Sequence, residues 1–238
     1  MSEPYAPVEG DDCPGCAYPI HSTTEVEEFA RAVAEQGRQL IVHCNGDAAA
    51  QQWVDTVEKV GAELPALIEA RPVMIHAQTV RDDQLDRMAS LGMIASIFAV
   101  HTYFWGDVHL RNFGPERGHR ISPTRSALDR GVRVTLHQDS PVTPPDMLLS
   151  IWAAVNRISL GGAQIGPEQR MTPWEALRAV TTDAAYQYGE EDQKGLLREG
   201  MRADLVILSE DPLTVDPSTL RDISVLQTIK DGEVVYSA

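Results

Sequence analysis

One pattern limits what this chain can fold into more than any other: a short apolar run that ends in a histidine or aspartate, turns through polar residues and continues with a helical period. Leu40-Ile-Val-His-Cys-Asn-Gly-Asp47 carries it first, Pro72-Val-Met-Ile-His76 second, and Val132-Arg-Val-Thr-Leu-His-Gln-Asp139 third, followed by Ser-Pro-Val-Thr-Pro-Pro. Short apolar runs bounded by turn residues read as buried strands, and helices between them make neighbouring strands parallel. Such folds open their sites at the carboxyl ends of the strands, where the tips converge. Imidazole and carboxylate are the donors that zinc and similar divalent ions take there. A single histidine reads as a core or turn residue. Three in equivalent topological positions argue for ligands.

The rest of the chain fits this frame. Residues 1–22 hold Pro4, Pro7, Gly10, Pro14, Gly15 and Pro19 with little periodicity and read as an extended loop. Within it, Cys13-Pro-Gly-Cys16 has no second cysteine pair, so a plain loop explains it better than a zinc or redox site. Helical periods follow from Thr24 to about Gln36, from about Asp47 to Val60 and from about Asp82 to Ser90, with a strand from Met93 to Ala99. The segment from His101 to Ile121 is expected to be a long loop on the strand-end side, and its aromatics either shape a substrate pocket or plug the core. His101, Tyr103 and Trp105 in it, with His137, are the candidate substrate contacts. Further helices are expected over residues 122–131, from Pro144 and Pro145 to about Ile158, and from the capping box Thr172/Glu175 to about Tyr188. The tail changes character: Ala203–Leu208 reads as a strand, and Val225–Ile229 turns through Asp231-Gly232 into Glu233–Tyr236 as a hairpin.

Composition excludes several classes. A formal charge of −15 and only three lysines, Lys59, Lys194 and Lys230, oppose nucleic acid or an anionic membrane surface as partner. No apolar run approaches the roughly 20 residues of a membrane span, and the amino-terminal residues are unlike a signal peptide, so a cytoplasmic location is the expectation.

His-Cys-Asn-Gly-Asp, Ile-His-Ala-Gln and His-Gln-Asp-Ser-Pro-Val, with Lys194-Gly-Leu-Leu-Arg-Glu-Gly-Met-Arg-Ala-Asp-Leu-Val-Ile-Leu and Thr228-Ile-Lys-Asp-Gly-Glu-Val-Val-Tyr, together resemble the metal-dependent amidohydrolase superfamily, in the branch related to N-substituted formamide deformylase. The resemblance implies an α/β fold: the C-terminal portion, about strands five to eight, of a (β/α)8 TIM barrel over residues 23–190. It also implies the C-terminal share of a small β-sandwich over residues 191–238. It makes His43, His76 and Asp139 ligands of a divalent metal, most simply Zn²⁺, with Asp139 also the general base. The sequence departs from the family in having no His-x-His pair and no lysine ending a strand that precedes a helix. By family register it begins just after strand four.

The resulting expectation is a hydrolase of amide-type carbon–nitrogen or ester bonds in small molecules, acting through a metal-activated water. The rival is a catalytically inactive fragment or binding scaffold that keeps part of the site. A flavodoxin-like domain would fit the βα units but not the histidine placement or the β tail. Four barrel strands alone leave open edges, so a homodimer or a separately supplied N-terminal half is expected as partner.

Overall fold

The computed structural model describes residues 1–7, 15 and 17–238, so the reading of Cys13 and Cys16 lies outside the described residues. Helix α1 (Thr23–Ala34) starts at a capping box in which Ser22 accepts from the Glu25 amide and the Glu25 carboxylate reaches back. Strand β1 (Ile41–Cys44) leads into α2 (Asp47–Glu63), then α3 (Ala66–Glu69), β2 (Val73–His76), α4 (Asp82–Ser90) and β3 (Ile94–Ile97).

After β3 the structure departs from expectation. The segment from His101 is helical, as α5 (His101–Phe104) and α6 (Gly106–His119), the latter broken at Gly114, where φ is +76°, before Pro115. Its apolar residues follow no single stripe because the helices are short and interrupted, which removes the periodicity that marks a helix in sequence. Then come α7 (Thr124–Asp129), β4 (Arg133–Leu136), α8 (Met147–Asn156), α9 (Pro173–Val180) and α10 (Thr182–Gln187). The expected Thr172/Glu175 capping box opens α9, but the helix expected to reach Tyr188 is interrupted at Thr181, where φ is −124° and ψ −90°.

β1 to β4 form one parallel sheet in sequence order, with Ile41 opposite Val73, Val73 opposite Ile94 and Ile94 opposite Arg133. The outer row of the strands, Cys44, Met74, Ala95, Ile97, Val134 and Leu136, packs in one core with Trp53, Val54 and Val57 of α2 and Leu85 and Met88 of α4. On the other face α10 crosses the amino ends of the strands. Gln187 joins Gln39 at 2.7 Å and Thr135 at 2.7 Å, and the guanidinium groups of Arg71 and Arg133 both lie 3.8 Å from the centre of the Tyr186 ring. The opposite, carboxyl end of the sheet is thereby left as the place where a site can open.

Strands β5 (Leu205–Leu208), β6 (Val225–Lys230) and β7 (Glu233–Ser237) make a separate antiparallel sheet. Its hairpin turns at Asp231 and Gly232 with φ of +49° and +85°, the two positive values that a tight primed turn requires. Val206, Ile207, Leu226, Val234, Val235 and Tyr236 remain exposed on it.

Candidate metal centre

Alternation along a strand settles which residues can meet at its end. The register places His43, Ile75, Ser96 and Thr135 in one row and Cys44, His76, Ile97 and Leu136 in the other. Cys44, Ile97 and Leu136 of the second row are buried in the core shared with the helices. His76 would follow them there. It does not, because His76 and Ala77 adopt φ of +71° and +46°, a left-handed turn that re-aims the imidazole toward the strand-end mouth. The His76 ring centre comes to 4.6 Å from that of His43, 5.0 Å from that of His137 and 5.6 Å from that of His101. A left-handed non-glycine residue costs roughly 1–2 kcal/mol, and such conformations concentrate at functional sites.

Asp139 stands in a similar turn, with φ of +52°. The loop that carries it is braced by Gln138, whose amide donates to Ser150 Oγ and the Asp146 carbonyl, and by Thr143, which donates to the Gln138 carbonyl at 2.6 Å. Asp146 in turn caps α8 through the Leu149 amide at 3.0 Å. One donor atom each from His76, His137 and Asp139 lie within 4.8 Å of one another.

Two hydrogen bonds join Ser96, His137 and His76, and Asp139 stands just beyond them. Ser96 Oγ meets His137 Nδ1 at 3.0 Å, His137 Nε2 meets His76 Nδ1 at 3.2 Å, and His76 Nε2 lies 4.0 Å from Asp139 Oδ2. Burial pushes His137 down to about 3 and His101 to about 2, with neighbouring imidazoles adding to both. Burial, then the His43 imidazole, lowers His76 to about 4 against an opposing pull from Asp139. These histidines are therefore neutral near pH 7, the form that binds a metal. The donor set suits a divalent ion: two neutral imidazoles and a carboxylate are the ligand types of catalytic zinc, which needs three and a water.

The remaining sequence candidates divide. His43 joins the cluster but is exposed, with Nε2 3.5 Å from Asn45 Nδ2. His101 lies inside it with Nδ1 buried and unpartnered, and Trp105 stands edge-on to it at 5.7 Å. Tyr103, a candidate substrate contact, packs instead against Trp152 at 5.3 Å and Phe104 at 4.9 Å, because the helical turn of α5 aims it at α8. His137, also read as a substrate contact, stands among the possible ligands. Sequence reasoning missed Ser96, whose signal was a lone hydroxyl within the apolar run Met93–Ala99. It also missed His109, which Gln78 contacts at 2.8 Å and which stacks on Phe113 at 5.2 Å. A cavity of about 440 Å³ beside the cluster is lined by Asn45, Gln78, His109, Asn112, Phe113 and Tyr5, among others.

A family model described as the amidohydrolase family matches residues 1–236. The chain belongs to the amidohydrolase family. It is 32% identical over 218 residues to N-substituted formamide deformylase of Arthrobacter pascens, which covers 91% of this chain and 40% of that protein. Imidazolonepropionase of Treponema denticola is 28% identical over 195 residues, covering 81% of this chain and 40% of that one. Among solved structures, an uncharacterized metal-dependent hydrolase from Pyrococcus horikoshii superposes with a TM-score of 0.75 at 26% identity, covering 91% of this chain and 42% of that chain. This amidohydrolase chain thus spans about two fifths of the length of the relatives it matches. No helix among its described residues is long and apolar enough to cross a membrane.

Proposed function

We propose that the chain is the strand-end half of a metal-dependent hydrolase that cleaves amide-type carbon–nitrogen or ester bonds in small molecules, with β1 to β4 standing as barrel strands five to eight. The observation that carries this is the convergence of His76, His137 and Asp139 within 4.8 Å at the carboxyl ends of parallel strands. In this reading residues 23–190 are the partial barrel, and residues 191–238 are the C-terminal share of a β-sandwich. A zinc ion held among His43, His76, His137 and Asp139 would supply Lewis acidity and lower the pKa of a bound water from 15.7 to about 7.

The protein's own groups do the rest. Asp139 takes the proton of the attacking water and returns it to the leaving nitrogen or oxygen, a transfer worth about 10² to 10⁴ in rate. His101, neutral and with Nδ1 unpartnered, offers a hydrogen bond to the oxyanion as it develops. The adjoining cavity, with Phe113 and Tyr5 on its wall, takes the acyl group or nitrogen substituent. That a named relative acts as an N-substituted formamide deformylase favours a short acyl group on a substituted nitrogen.

The test is metal analysis of the purified chain together with turnover of N-substituted formamides and simple esters. Zinc near one equivalent with hydrolysis lost in Asp139→Asn supports the proposal, and a chain that binds no divalent metal refutes it. The second reading is a binding scaffold that keeps part of the site without turnover. Stoichiometric zinc with no hydrolysis of any amide or ester would select it.

A further inference from the structure

We infer that Gln78 is a specificity-determining residue whose side-chain oxygen accepts the N–H of a secondary amide, so that the adjoining cavity takes the substituted nitrogen of the substrate and not its acyl group. The inference rests on the hydrolase reading and narrows its substrate class from amides and esters to amides that carry an N–H.

Gln78 follows the left-handed turn at His76 and Ala77 that re-aims the His76 ring. Its backbone carbonyl accepts from the Ser122 amide at 2.7 Å, and the residue is only 4% exposed. A side chain so enclosed needs partners for its polar atoms. Nε2 has one, His109 Nε2 at 2.8 Å. Among the described residues Oε1 has none, yet it is not sealed from solvent. The space that reaches it is the cavity of about 440 Å³ that Gln78 lines with Asn45, His109 and Phe113. Oε1 is therefore a fixed acceptor on the cavity wall, two residues along the chain from His76.

His109 decides which end of the carboxamide faces the cavity. An amide nitrogen only donates, so His109 Nε2 supplies the lone pair and the neutral ring keeps its proton on Nδ1. Phe113 stacks on that ring at 5.2 Å and 1°, which fixes its plane. Turning the carboxamide over would set Oε1 against the bare Nε2, two acceptors face to face. The His109 ring centre lies 5.8 Å from that of His101, the group assigned to the developing oxyanion. A secondary amide carries its oxygen and its N–H on opposite edges of one plane, so one substrate can present the first to His101 and the second to Gln78. An ester or a tertiary amide brings no donor to Oε1. A site built to hydrogen-bond an N–H discriminates strongly against analogues that lack it.

The experiment compares kcat/KM of the full chain at pH 7.5 for N-butylformamide, N-butyl-N-methylformamide and butyl formate. It is paired with nitrogen-15 NMR of the His109 ring, and thermal unfolding serves as a folding check. The wild type should favour the secondary over the tertiary amide at least about tenfold, and His109 should carry its proton on Nδ1. Gln78→Met keeps the volume and removes the acceptor. In it the preference should fall below about threefold, and the ratio of secondary-amide to ester turnover should drop at least about tenfold. Wild-type selectivity and the His109 tautomer carry the test even where that variant does not fold. A wild type that hydrolyses both amides equally well, or a preference that survives intact in folded Gln78→Met, overturns this inference while the hydrolase reading stands. A His109 ring protonated at Nε2 overturns the orientation of Gln78 and the inference with it. A wild type that hydrolyses none of the three sinks the hydrolase reading beneath it too.

Discussion

Acidification should unfold the metal-free chain well before its carboxylates titrate. His76, His101, His109 and His137 are held down to about 4, 2, 4 and 3 from an ordinary value of 6.5, chiefly by burial. The folded state therefore keeps all four neutral where the unfolded chain protonates them. Their contribution is intact above pH 6.5 and is lost as the pH falls from there toward the folded values. At pH 5 each histidine lies 1.5 pH units below the unfolded value, a loss of about 2 kcal/mol apiece at 1.36 kcal/mol per unit. The sum is about 8 kcal/mol, roughly halved if solvent screens the partly exposed rings. Against a total stability of about 5–15 kcal/mol, either figure moves the unfolding transition far. Urea denaturation followed by tryptophan fluorescence from pH 7.5 to 5 measures it, and the slope of stability against pH should correspond to about three or four protons. His109→Gln should remove about one of them. Stability that stays flat between pH 7 and 5, or an unchanged slope in that variant, would refute the reasoning.

Arg157 is fully buried and donates to the carbonyls of Ile165, Ser122 and Ile121 at 2.6, 2.8 and 2.6 Å. Arg157→Met leaves the Ile121 and Ile165 carbonyls unpaired at about 1–3 kcal/mol each, while Ser122 still accepts from the Thr124 amide at 2.9 Å, so a loss of at least about 2 kcal/mol is expected in urea denaturation. Trp53 is 1% exposed under α2, and Trp53→Ala should cost about 3–5 kcal/mol in the same assay. Asp139→Asn should lower turnover by about 10² or more, a larger factor than it weakens zinc, which parallel rate and metal measurements would separate. Among the described residues β1 and β4 each pair on one side only, and six large apolar side chains are exposed on β5 to β7. The isolated chain should therefore associate, and a stable monomer by light scattering at micromolar concentration would rule out closure of two four-strand halves into one barrel.

The sequence by itself determined the elements that depend on local chemistry. Apolar runs closed by His43, His76 and His137 marked parallel strands, because a strand buried on both faces needs a nearly unbroken apolar run. The Thr172/Glu175 box and the Asp231-Gly232 turn were legible for the same reason: each is satisfied within a few residues of chain. The helices α5 and α6 were not legible, since their breaks at Trp105 and Gly114 scatter the apolar residues around the axis. Only the tertiary structure decided the membership of the site. Spacing along β2 assigns His76 to the row that faces the helices, and it is the left-handed turn at His76 and Ala77 that brings the ring to the mouth. No local rule connects Ser96 to His137, or turns Tyr103 toward Trp152 and away from the histidines. Those relations depend on the register of β3 against β4 and on the packing of α5 against α8, which exist only once strands and helices distant in sequence have come together.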